Sequence, residues 1–168
     1  MVALLQFSIS IAAIHTTYIP MEAVIFCGIQ ASGKSTFFKE KFFKTHVRIS
    51  LDMLKTRNRE SILLNACLEA KQSFVIDNTN PTREDRARYI AAAKAKKFKV
   101  TGYYFSSSLE SALERNSKRI GKENIPEIGV RGTLKRLEKP SMEEGFDQLF
   151  FVTLDNDTFT VNEWNNEI

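Results

Sequence analysis

Ala23-Val24-Ile25-Phe26-Cys27-Gly28-Ile29-Gln30-Ala31-Ser32-Gly33-Lys34-Ser35 places an apolar run, a glycine-bounded loop and a helix start in direct succession. The order is that of a phosphate cradle. Gly28 and Gly33 let the loop Gly28, Ile29, Gln30, Ala31, Ser32, Gly33 curl so that successive backbone N–H groups converge on an anion. The N-terminus of the next helix adds its positive dipole end. Lys34 is placed to reach the β- and γ-phosphates of a nucleoside triphosphate, and Ser35 to offer a hydroxyl to Mg²⁺, with Thr36 as its backup. An ordinary glycine turn would also fit the two glycines alone. The strand before them and the Phe-rich helical stretch Thr36–His46 after them favour the cradle.

The chain has 168 residues, enough for one full α/β core and too few for a second catalytic domain of normal size. Its net charge of +4 suits an anionic ligand such as ATP or a nucleic-acid end without demanding one. Cys27 and Cys67 show no CxxC spacing and no accompanying histidines, so both are expected as buried, reduced thiols. That usage points to a reducing, cytoplasmic setting. The segment Val2–Ile14 is apolar but short, mixed and without a basic leader, so no membrane span is expected there. Met21 reads as the functional start, with residues 1–20 an upstream or dispensable extension; a divergent targeting peptide is the alternative. Residues 21–168 then form the catalytic domain.

Five β-prone runs, Ala23–Cys27, Val47–Leu51, Phe74–Asp77, Val100–Phe105 and Leu149–Leu154, alternate with helical patterns. The alternation predicts a five-stranded, mostly parallel sheet with helices on both faces. Leu63/Cys67 and Leu64/Leu68 give the helix before the third run one buried face. Pro81 fits the first turn of the next helix, Thr82 with Asp85 forms a capping box, and Lys94–Lys99 suit that helix's C-terminus. Ser107 with Glu110 predicts a second box, opening a helix Leu109–Arg119.

Three groups of residues could carry chemistry. Asp52 ends the second run, in the crevice beyond the carboxyl ends of parallel strands where ligands of such sheets bind. It is a candidate general base, a role contributing roughly 10²–10⁴-fold in rate, though taken alone an aspartate at a strand-to-helix junction reads first as a helix cap for the segment from Met53. Asp77 ends the third run and could contact Ser35 or orient a Mg²⁺-bound water, while Asn78 extends the polar edge either as a substrate contact or as a plain turn residue. Arg115 and Arg119, one helical turn apart and followed by Gly121, Lys122 and Pro126, read as an Arg-rich lid able to neutralise a transferring phosphoryl group.

Over residues 21–155 these pieces resemble the kinase domain of the 5′-hydroxyl polynucleotide kinases of phages and eukaryotes. Asp77-Asn78-Thr79-Asn80-Pro81 is similar to that family's DNTNP segment, and Arg115-Asn116-Ser117-Lys118-Arg119 with Pro126 to its lid. Glu144-Gly145-Phe146-Asp147 before the last run also fits. The resemblance implies a P-loop NTPase fold, ATP and Mg²⁺ as cofactors, and a DNA or RNA 5′ end as acceptor. It further implies Lys34 on the phosphates, Ser35 on Mg²⁺, Asp52 as base for the 5′-hydroxyl, and Arg119 with Arg115 on the phosphates from the lid. The phage members carry an arginine against the acceptor phosphate where this chain has Lys55, with Arg57 shortly after. Lysine can meet a phosphate as a point charge but lacks the bidentate fork.

Some members fuse the kinase to a phosphatase that opens with DxDGT. Asp155-Asn156-Asp157-Thr158 is similar to it but has no glycine, and only ten residues follow. A kinase module without end-trimming activity is therefore expected, with a separate ligase or phosphatase as pathway partner. Two other functions compete: a P-loop kinase of a sugar, nucleoside or antibiotic hydroxyl, and a nucleotide-gated binding module, which would have no need of a base at Asp52.

Overall fold

The computed structural model describes residues 21–165; the extension or upstream start assigned to residues 1–20 lies outside the described residues. Strand β1 (Glu22–Cys27) leads through the glycine loop into helix α1 (Lys34–Lys41). Then follow β2 (Val47–Ile49), α2 (Leu51–Leu54), α3 (Arg57–Glu69), β3 (Phe74–Ile76), α4 (Arg83–Ala95) and β4 (Lys99–Phe105). The chain continues as α5 (Leu109–Ser117), a 3-10 turn at Gly121–Glu123, α6 (Glu127–Arg136), a second at Met142–Glu144, β5 (Gln148–Asp155) and β6 (Thr158–Glu163).

The sheet order is β2-β3-β1-β4-β5-β6. The first five strands are parallel and correspond to the five predicted runs; β6 returns antiparallel beside β5 and is the strand the sequence reading missed. Asn156 and Asp157 both take positive φ (46° and 60°), the geometry of a tight hairpin turn whose twist matches the flanking strands. Asp155-Asn156-Asp157-Thr158 is thus a hairpin.

Side-chain alternation along β1 divides the core. Ala23 and Ile25 face a cluster built with Ile49, Phe74, Ile76 and Val100 against Cys67 and Leu68 of α3 and Tyr89, Ile90 and Ala93 of α4. Val24 and Phe26 face the opposite side, with Phe37 and Phe38 of α1, Phe42, Phe105 and Val152. Phe26 meets Phe37, Phe42, Tyr103 and Phe105 at ring centroids 5.0–6.0 Å apart, largely edge to face. Helices therefore cover both faces, as the pattern predicted. A third cluster packs Ile29 of the glycine loop against Ala112 and Val130, docking α5 and α6 onto the loop itself.

Local chemistry agrees in part. Thr82 and Asp85 form the predicted capping box, but Thr82 is the cap, so Pro81 precedes the helix and is outside its first turn. Helix α5 is capped by Ser108, whose side chain accepts from the Ser111 N–H; the Ser107 hydroxyl instead accepts from Arg115. The helical stretch expected to His46 stops at Lys41, because α1 must turn back into β2. Lys94 pairs with Asp147 and Lys96 with Glu69, so this part of the basic cluster serves the fold. Cys27 and Cys67 are free and buried. No described helix is long and apolar enough to cross a membrane.

Candidate active site

The loop between β1 and α1 is held open by its glycines. Gly33 sits at φ 97°, and a Cβ there would lie 2.9 Å from the Phe159 ring and 3.0 Å from Leu154. A Cβ on Gly28, at φ 151°, would lie 2.8 Å from the Phe105 carbonyl oxygen. Left-handed backbone and close neighbours together demand glycine at both positions. Gly28 N–H donates to the Thr79 carbonyl at 3.0 Å, and the Asn80 side chain donates to the Phe26 carbonyl at 2.7 Å. The Asp77–Pro81 segment is thereby stitched to the loop's entry.

Lys34 is buried. Its ammonium donates to the carbonyls of Gly28 (3.0 Å) and Ile29 (2.5 Å) and to Ser32 Oγ (3.2 Å). Burial brings its pKa down to about 8, against the opposing pull of Asp77. Ile29 turns its side chain into the core beneath α5 and α6, and Gln30 donates to Thr133 Oγ1 at 2.9 Å.

Ser35 and Asp77 meet as the sequence predicted: Ser35 Oγ donates to Asp77 Oδ2 at 3.0 Å, at the carboxyl end of β3. Two hard oxygen donors at the loop's mouth suit a hydrated Mg²⁺ that takes its other ligands from phosphate and water. Arg48, which the sequence reading passed over, completes this corner. From β2 its Nε donates to Asp77 Oδ2 (2.7 Å) and its Nη2 to Ser35 Oγ (2.8 Å), with Nη2 also 2.5 Å from Asp77 Oδ2.

Asp52 is neither the strand end nor the cap expected of it. β2 stops at Ile49, Ser50 takes the cap position, and Asp52 is the second residue of the single-turn helix α2. The strand is short because Asn78 Oδ1 accepts from the Leu51 N–H at 2.9 Å, pinning the start of α2. Asn78 also donates to Glu60 Oε1 at 2.6 Å, so its side chain is committed to the scaffold. Glu60, buried on α3, collects Asn78, Tyr89 and Arg57. Arg57 is half exposed and donates to Glu60 Oε2 and the Tyr89 hydroxyl. Lys55, at φ 67°, donates back to the Asp52 carbonyl.

The lid residues divide their tasks. Arg115 Nε donates to the Ala31 carbonyl at 2.7 Å and ties α5 to the loop, while Arg119 is half-buried and reaches the Glu123 carbonyl through Nη1 at 3.5 Å. The segment after α5 is braced: buried Asn116 donates to the Ile125 carbonyl (2.7 Å) and accepts from its N–H (3.1 Å). Gly121, Lys122 and Pro126 thus belong to an ordered connection into α6.

A cavity of about 750 Å³ is lined together by Gln30–Thr36 of the loop, Arg48, Asp52, Lys55, Arg57, Asp77, Asn78, Arg119, Lys122 and Arg136. A smaller one of about 340 Å³ lies between Ala31, Gly33, Thr36, Arg115, Arg119 and the hairpin residues Leu154, Asp157 and Phe159.

The chain is similar to two curated proteins. It is 31% identical over 150 residues to a bifunctional polynucleotide phosphatase/kinase of Schizosaccharomyces pombe, covering 85% of this chain and 37% of the relative. It is 30% identical over 139 residues to a putative bifunctional polynucleotide phosphatase/kinase of Acanthamoeba polyphaga mimivirus, covering 79% and 33%. The chain therefore spans about a third of the length of these relatives. Among solved structures, Chaetomium thermophilum Kti12 in complex with ADP-AlF3 superposes with a TM-score of 0.62 at 18% identity, covering 80% of this chain and 90% of that one. A gluconokinase from Sinorhizobium meliloti 1021 superposes with a TM-score of 0.57 at 19% identity, covering 79% and 82%. At those identities the superpositions speak for the fold alone. The resemblance to polynucleotide kinases holds along the chain, the fold is that of P-loop kinases, and the match of residues 24–140 to the AAA domain family makes this chain a member of it.

Proposed function

We propose that the protein transfers the γ-phosphate of ATP, in a Mg²⁺-dependent reaction, to a 5′-hydroxyl end of DNA or RNA. The observation that carries this reading is the shared cavity: phosphate loop, Ser35–Asp77 pair, Asp52 and Arg119 all line it. Backbone N–H groups of Gly28–Thr36 and the Lys34 ammonium would take the phosphates, Lys34 exchanging its present carbonyl partners for phosphate oxygens. Ser35 and Asp77 would hold Mg²⁺, which neutralises charge between the β- and γ-phosphates when bound.

Asp52 accepts no hydrogen bond from a described side chain and lies open to the cavity, so its carboxylate can take the proton of an incoming hydroxyl. Arg119 would stabilise charge on the transferring group, with Arg115 beside it. Lys55, Arg57 and Arg136 give the acceptor side a positive lining suited to a nucleic-acid backbone. A 5′-phosphorylated end is what a ligase consumes, which makes such an enzyme the natural pathway partner; no membrane surface is needed.

One observation favours a second reading. Lys55 turns back on the Asp52 carbonyl, and a small acceptor such as a sugar or nucleoside hydroxyl needs no phosphate contact there. Transfer of labelled γ-phosphate from ATP to 5′-hydroxyl oligonucleotides, as DNA and as RNA, separates the two. The expected result is label on the unblocked 5′ end only, lost in Asp52→Asn while ATP affinity stays nearly intact. Absence of label on every oligonucleotide, with ATP still bound, would move the assignment to a metabolite hydroxyl.

A further inference from the structure

The Arg48 guanidinium stands between the two oxygens that the proposed function gives to Mg²⁺. It donates to both, 2.8 Å to Ser35 Oγ and 2.7 Å to Asp77 Oδ2, while those oxygens are 3.0 Å apart. Asp77 is nearly inaccessible, its side chain 2% exposed, so its negative charge has to be answered from within the protein. A divalent ion held by Ser35 Oγ and Asp77 Oδ2 competes with the guanidinium, which spends Nε and Nη2 on the same two atoms and sets a like charge beside the ion.

Arg48 also has somewhere to go. Its side chain is 22% exposed, Nη1 has only the Met53 sulfur at 3.5 Å among the described residues, and the group lies over the Phe38 ring at 5.6 Å. Met53 and Asp52 line the same cavity, so a swing away from Asp77 carries the fork toward the acceptor side. We propose that Arg48 is a resident cation that holds Ser35 and Asp77 in place in the nucleotide-free protein and is exchanged for the divalent metal when the metal–nucleotide complex enters. This rests on the reading of Ser35 and Asp77 as the metal's protein ligands.

The consequence is a metal affinity lowered by competition. If the withdrawn state of Arg48 is about one-tenth populated in the metal-free ADP complex, the apparent metal affinity is weakened about tenfold, and removing the guanidinium restores it. The test is titration of ADP-saturated protein with Mn²⁺, followed by the loss of the free-ion electron paramagnetic resonance signal. Wild type, Arg48→Gln, Arg48→Lys and Asp77→Asn are compared, with folding checked by circular dichroism.

Arg48→Gln is expected to bind Mn²⁺ about tenfold more tightly than wild type. Arg48→Lys, which keeps the charge but not the fork, should move the same way by a smaller factor and decides the matter if the glutamine variant fails to fold. Damage to the scaffold would weaken Mn²⁺, and loss of a nearby positive charge alone would tighten it in Arg48→Gln but not in Arg48→Lys, so tightening in both is diagnostic. Unchanged or weaker Mn²⁺ binding in the folded Arg48 variants, with Asp77→Asn still losing the metal, overturns the exchange and leaves the metal assignment standing. Mn²⁺ binding indifferent to Asp77→Asn would instead overturn the metal assignment and the exchange with it.

Discussion

Lys34 shows how one residue can be legible in type and hidden in state. A lysine after a glycine loop announces phosphate binding, but its burial, which lowers its pKa to about 8, and its bonds to the Gly28 and Ile29 carbonyls come from the folded loop. The sign of the pH effect follows directly. In the free protein Lys34 loses its proton as pH rises through about 8; a bound triphosphate favours the charged form and raises that pKa. ATP binding at pH 8.5 should therefore take up protons, and affinity should fall by up to about tenfold per pH unit above 8. Isothermal titration calorimetry in two buffers of different ionisation enthalpy measures the uptake, and its absence would mean that Lys34 does not meet the phosphates. Asp52, by contrast, was legible as a carboxylate in the right crevice and misplaced by its element, because the Asn78–Leu51 hydrogen bond that ends β2 early joins residues far apart in sequence.

At the scale of elements, α5 and the connection after it, read as a lid from the sequence, are clamped to the phosphate loop. Ile29 buries its side chain beneath α5 and α6, Arg115 bonds the Ala31 carbonyl, and Asn116 braces Ile125. Arg119, half-buried, lines the cavity beside this clamp. Arg119→Ala is expected to lower turnover by roughly 10²–10³-fold with little change in ATP affinity, the signature of a group that acts on developing charge. Single-turnover kinetics beside equilibrium nucleotide binding would reveal it, and an equal loss in both would assign Arg119 to ground-state binding. Asn116→Ala strands two backbone groups of Ile125, a loss of about 1–3 kcal/mol, and should lower the thermal midpoint while slowing transfer. A midpoint equal to wild type would show that the brace is dispensable.

Across the whole molecule, a buried ion pair ties α4 to the segment before β5. Arg86 is fully buried and meets Glu144 through both Nε and Nη2 at 2.6 Å, with further bonds to the carbonyls of Asn80, Pro81 and Glu138. Glu144-Gly145-Phe146-Asp147, seen in the sequence only as a matching run, gains a physical meaning here. Glu144 holds Arg86, Phe146 is core, and Asp147 accepts from the Val100 N–H at 2.7 Å. Glu144→Ala leaves a buried guanidinium without its counter-charge and should cost about 3–5 kcal/mol, a large share of the 5–15 kcal/mol typical of a domain. A urea titration would show the midpoint falling at unchanged slope; a midpoint within error of wild type would refute the pair's structural role.

What depends on neighbours along the chain was legible in the residues alone. The apolar alternation set five parallel strands between helices, the glycine spacing set the phosphate loop, and Thr82 with Asp85 set a helix start. The antiparallel β6 escaped notice although Thr158-Phe159-Thr160-Val161 alternates polar and apolar residues, because Thr158–Glu163 is almost wholly exposed and its place comes from the Asn156–Asp157 turn and pairing with β5. Which polar groups share a charge follows from the folded packing: Arg48 with Ser35 and Asp77, Glu60 with Asn78 and Tyr89, Arg86 with Glu144. Burial makes such partnerships necessary, and the partners are joined by the packing of separate strands and helices, which no local spacing records.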